Sequence, residues 1–172
     1  MTTSIGFSTP HRFNPVSWLV RTLTGAKCSH TWFMYHDKDW GVDMVLEAHE
    51  LGFRLIPYSR FKKLNIVISV YAPTSVDLDK GVSLVARKFL GTAYDFGGLF
   101  GMAFVLLGRW LKKKWRNPLN TRGVFCSEAA VIALQHSEFP NSRLLIASQT
   151  SPTELECFLK QALDQGSVRL LS

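Results

Sequence analysis

The chain has 172 residues, 47% of them hydrophobic and 19% charged, which is enough apolar surface for one full core and too little charge for a disordered chain. Its formal charge of +7 calls for a partner or another reason. No helix-turn-helix, RNA-binding strand signature or zinc knuckle accompanies that charge, so nucleic acid is not expected.

The N-terminal Met1-Thr2-Thr3-Ser4-Ile5-Gly6-Phe7 has neither a basic n-region nor an apolar h-region, so no secretory signal is expected and the compartment read from the sequence is the cytoplasm. Residues 4–8 read as a short strand. Asn14 and Pro15 cap and start a helix through residue 23, which Gly25 ends. Residues 28–36, rich in aromatics and bounded by the turn Asp37-Lys38-Asp39, read as a strand with His30 near its start. The period of two puts His30, Trp32, Met34 and His36 on one face. Residues 41–49 and 53–57 read as further strands joined by a turn at Glu50-Leu51-Gly52. Residues 65–71, β-branched and continuously apolar, read as a fourth strand central to the sheet.

From there the pattern turns helical. Ser75 predicts the cap of a helix over 76–90, closed by Gly91. Gly91-Thr92-Ala93-Tyr94-Asp95-Phe96-Gly97-Gly98 is a glycine-rich turn into an apolar helical segment over about 96–116. The apolar run at 99–107 is far shorter than the ~20 residues a membrane span needs. Gly123-Val124-Phe125 brings the chain in extended to Cys126-Ser127-Glu128, which opens a helix apolar on every side. Ser151, Pro152 and Glu154 spell a capping box for a last helix running to about residue 163. Strands followed by helices imply an α+β architecture in a single domain over 1–172, with the Cys126 helix packed on the sheet.

Three cysteines, Cys28, Cys126 and Cys157, without a C-x-x-C pair argue against a disulfide framework and against a zinc site. Neither a metal nor an organic cofactor is implied. Cys126 stands out because unpaired N–H groups and the positive end of a helix dipole favour the thiolate at a helix N-terminus; the alternative is a buried thiol that merely packs. A thiol nucleophile needs an imidazole, a polar group to hold it, and oxyanion donors. His30 is the best base, since its strand belongs to the sheet under the Cys126 helix, whereas His11, His36 and His136 read as loop, turn and helix-end residues. Glu47 and His49 alternate onto one face of the second strand, and either can orient the base. A separate feature is the cluster Arg109, Trp110, Lys112, Lys113, Lys114, Trp115 and Arg116, which fits contact with an anionic membrane surface or a solvated helix end.

Cys28-Ser29-His30-Thr31-Trp32-Phe33, Glu47-Ala48 before a glycine turn, Gly91-Thr92-Ala93-Tyr94-Asp95, Phe125-Cys126-Ser127-Glu128 and Ser151-Pro152-Thr153-Glu154-Leu155 together resemble the circularly permuted NlpC-type papain-like peptidases of the YiiX/YebB-like group. The likeness spans most of the chain, and the histidine and polar residue precede the cysteine, as in that family. The resemblance implies a permuted papain-like fold with Cys126 as nucleophile, His30 as base, Glu47 as third member and Tyr94 beside the oxyanion. It also implies a peptidase or amidase working through an acyl-enzyme on a peptide, amide or acyl substrate. Related enzymes of the lecithin:retinol acyltransferase-like branch move acyl chains on lipids, so a thiol acyltransferase or lipid-directed hydrolase at a membrane surface is the alternative enzyme. A non-catalytic, basic, membrane-associated binding protein is the alternative outside enzymes.

Overall fold

The computed structural model describes residues 3–49, 52–92, 108 and 124–171. Within them the chain is α+β: a six-stranded antiparallel sheet with helices packed on it. The strands are β1 (Ser4–Pro10), β2 (His30–Asp37), β3 (Val42–His49), β4 (Gly52–Pro57), β5 (Asn65–Pro73) and β6 (Val168–Leu170), in spatial order β4-β3-β2-β1-β5-β6. The helices are α1 (Pro15–Thr24), α2 (Tyr58–Leu64), α3 (Asp79–Phe89), α4 (Cys126–His136) and α5 (Pro152–Asp164). Among the described residues no helix is long and apolar enough to cross a membrane. The expected apolar segment at about 96–116, with Tyr94 before it and Trp110, Lys112, Lys113, Lys114 and Trp115 within it, lies outside the described residues.

Local chemistry accounts for both ends of α1 and the start of α5. The Asn14 side chain accepts from the Ser17 N–H, Pro15 occupies the first turn of α1, and Gly25 stops it in the left-handed conformation at φ 64°. In α5 the Ser151 hydroxyl and the Glu154 carboxylate cap one another's backbone reciprocally, which satisfies two of the N–H groups a helix leaves open. Helix α3 departs from the expected start at Ser75. The Asp77 carboxylate accepts the Asp79 N–H at 2.9 Å in a local turn that competes with helix, and Ser75 instead donates to the Ser167 carbonyl.

Two cores sandwich the sheet. On one face Phe7, Phe33, Leu46 and Tyr71 pack under α3, α4 and α5 through Val82, Val85, Ala130, Leu134, Leu155 and Leu159. Alternation sends Trp32, Val45, Ile56 and Val70 to the other face, where they meet Phe61 of α2. Strand β5 is interior but not central: it lies between β1 and the three-residue edge strand β6, which covers only its last residues. Its apolar run is therefore not the mark of a doubly buried central strand, and Ile66 near its start is 45% exposed.

Candidate active site

Helix α4 begins at Cys126 itself, with Phe125 in the N-cap position. Phenylalanine offers no oxygen to the first-turn N–H groups, a role usually taken by serine, threonine, aspartate or asparagine. The backbone N–H groups of Ser127 and of Thr31 on β2 favour the thiolate form of Cys126. Ala129, Ala130, Val131, Ala133 and Leu134 are all buried, so the helix is clamped against the sheet and the thiol cannot drift from the start of β2.

His30 opens β2 beside it. Its Nε2 lies 2.7 Å from Glu47 Oε2 on β3, and the imidazole lines the same cavity as Cys126. The pairing frame explains the contact: Trp32 lies opposite Glu47, so His30 is diagonal to Glu47 across the β2–β3 ladder, within reach of long side chains. The ring also sits 6.5 Å from that of Phe61, which closes one side of it. An ionised carboxylate only accepts hydrogen bonds. Nε2 therefore carries the proton toward Glu47, leaving Nδ1 to serve the thiol.

Glu47 has 2% of its side chain exposed. Burial pushes its pKa up, but the hydrogen bond and charge of His30, and then those of Arg54, prevail and lower it to about 2. Arg54 on β4 reaches Glu47 Oε1 with Nε at 2.9 Å and Nη2 at 2.7 Å, a fork geometry that suits guanidinium and carboxylate. Burial pulls the His30 pKa down, and the hydrogen bonds to Cys126 and Glu47, with their charges, more than reverse this and raise it to about 10. Burial likewise pushes the Cys126 thiol up, while the hydrogen bond and charge of His30 and the backbone bonds from Thr31 and Ser127 hold it below its ordinary value. The three side chains thus favour a thiolate, an imidazolium and a carboxylate in line.

His30, Glu47, His49, Arg54 and Cys126 all line one cavity of about 630 Å³. Glu47 is on the His30 ring, and His49, two residues along the same strand, lines the cavity as well. His11 also lines the cavity, whereas His36 bonds Asp43 at 2.9 Å on the surface and His136 ends α4. Arg54 was missed by the sequence reading. A signal was present, since the β3–β4 register pairs Glu47 with Arg54 across the hairpin, but a turn placed one residue too far along puts Leu55 there instead.

The remaining cysteines are free and differ sharply from Cys126. Cys28 is fully buried and donates its thiol to Glu156 at 3.5 Å; burial, then the Glu156 charge, pushes its pKa up to about 12. Cys157 is exposed on α5. No three His, Cys, Asp or Glu side chains among the described residues are grouped to hold a metal ion. No protein-family model matches the chain, and none of the curated proteins does.

Proposed function

We propose that this chain is a cysteine-dependent hydrolase, a peptidase or amidase with a circularly permuted papain-like fold, that works through Cys126, His30 and Glu47. One observation carries the reading: a buried carboxylate holds one nitrogen of His30 at 2.7 Å, and that imidazole shares a cavity with a cysteine at the first position of a buried helix, whose thiol it holds below its ordinary pKa. A nucleophile, a base and an orienting group in sequence are the working parts of acyl transfer on thiol enzymes.

In the proposed reaction the Cys126 sulfur attacks the carbonyl carbon of an amide, and the carbonyl electron pair moves to oxygen. The Cys126 backbone N–H at the positive end of α4 faces the developing charge. As the intermediate collapses, the His30 imidazolium gives its proton to the departing amine and a thioester to Cys126 remains. His30, now neutral, takes a proton from water as the water oxygen attacks the thioester. The carboxylic acid leaves and the thiolate–imidazolium pair is restored. Glu47 stays ionised throughout and holds the ring, and Arg54 positions Glu47.

The test is acylation by activated esters. With p-nitrophenyl esters of several chain lengths, the native chain is expected to show a burst, an acyl adduct on Cys126 by mass spectrometry, and turnover. Cys126→Ala should show none of these, and His30→Ala should lose at least about a hundredfold in rate. An adduct on Cys157 alone, or equal rates in the native chain and Cys126→Ala, overturns the proposal.

A further inference from the structure

One wall of the Cys126 cavity has a composition that the chemistry above does not use. The strand pairing that joins Pro10 to Asn65, continued by the His11 N–H donating to the Leu64 carbonyl at 3.0 Å, holds the loop after β1 against the end of α2. This places Arg12 and Phe13 beside Lys63 and Leu64 on the cavity lining. Both cations are exposed and neither makes an ion pair among the described residues. The single carboxylate on the lining, Glu47, is already engaged by His30 and Arg54. Next to these cations in the chain and on the same lining, Phe13 is 78% and Leu64 47% exposed, so apolar surface stands open on the wall that carries the positive charge.

We propose that this wall selects the substrate: an acyl compound bearing an anionic group, carboxylate or phosphate, next to an apolar segment, with Arg12 and Lys63 holding the charge and Phe13 and Leu64 covering the apolar part. The proposal rests on the hydrolase reading, because it assigns the specificity of that same site. Low-dielectric walls lined by one sign of charge concentrate ligands of the opposite sign, and a cation pair beside apolar surface distinguishes an amphiphilic anion from either a bare anion or a neutral chain.

Iodoacetate and iodoacetamide differ by one carboxylate, so the ratio of their rates at Cys126, measured by peptide mass spectrometry against Cys157 in the same molecule, reports the charge of the approach. His30 contributes to that ratio in every variant, whereas Arg12→Gln combined with Lys63→Gln removes only the wall. The double variant is expected to lower the ratio about tenfold, and added salt should shrink the difference. In a second arm, octanoate, octyl phosphate, octanamide and inorganic phosphate compete against iodoacetamide. Octanoate or octyl phosphate should protect Cys126 better than octanamide and better than inorganic phosphate, and whichever of the two protects more identifies the anion as carboxylate or phosphate. An unchanged ratio in the double variant, or equal protection by octanamide, overturns the anionic wall and leaves the nucleophile standing. Equal protection by inorganic phosphate overturns its apolar half. A Cys126 inert to both reagents overturns the hydrolase reading and this inference with it.

Discussion

Glu47 remains ionised in the interior because three donors replace the water it has lost: the His30 ring on one oxygen and the Arg54 fork on the other. Removing an ion from water is expensive unless such bonds are made, and the compensation has a pH signature. Glu47 titrates at about 2 in the fold against an ordinary 4.5, so it stabilises the native state above pH 4.5 and that contribution is lost as pH falls toward 2. His30, raised to about 10 from 6.5, has the opposite sign: its contribution is full below pH 6.5 and disappears as pH rises through 10. His30 is protonated throughout the acid window, which isolates the carboxylate. Urea midpoints of the native chain and Glu47→Gln should therefore converge as pH falls from 4.5 to 2; a gap independent of pH would count against the buried ion pair. At this scale the candidate Cys126 was legible from the helix pattern that follows it, His30 from its place at the start of a strand, and Glu47 from strand alternation only as one of two alternatives with His49. Arg54 needed the β3–β4 register to within one residue, which composition alone does not fix.

Helix α4 owes its position to a close crossing with α3. A Cβ built on Gly81 would collide with the Ala133 carbonyl of α4, and the Gly81 N–H donates to the Ser137 hydroxyl just beyond that helix. Glycine is needed here for proximity rather than for backbone freedom. Gly81→Ala is expected to destabilise the fold by about 1–3 kcal/mol, as overpacking does, and to slow Cys126 alkylation by shifting the helix that carries it. Chemical denaturation measures the first and peptide mass spectrometry the second; a variant as stable as the native chain would show that the two helices have room to separate. The elements with explicit end signals, α1 and α5, were readable from Asn14, Pro15, Gly25 and the Ser151–Glu154 box. Helix α2 was not. It has seven residues, no side-chain cap and a proline before it, and it is held by Phe61 against Trp32, ring centroids 4.7 Å apart, which is tertiary packing rather than local propensity. Strand β6, three residues long at the sheet edge, likewise exists only through its pairing with β5.

Across the whole molecule the site joins the two halves of the chain. His30 and Glu47 come from the strands of the first half, and Cys126 comes from a helix of the second that packs on β2 and β3. No periodicity brings residues so far apart in sequence together. The α+β class followed from strands preceding helices, and the pairing of Cys126 with His30 was expected from the strand placed under the Cys126 helix and from family resemblance, but the antiparallel order that puts β2 and β3 side by side emerges only from the folded sheet. The same fold seals Cys28 against Glu156 and leaves Cys157 in the open, so one molecule carries a candidate nucleophile, a buried control and an exposed control. The most direct measurement is the rate of iodoacetamide modification at each cysteine as a function of pH, in the native chain and in His30→Ala. The account predicts that Cys126 reacts fastest near neutral pH, with an apparent pKa below the free value of about 8.5 that rises when His30 is removed, while Cys28 stays unreactive. A Cys126 that reacts no faster than Cys157, or whose pH profile is the same without His30, would contradict it.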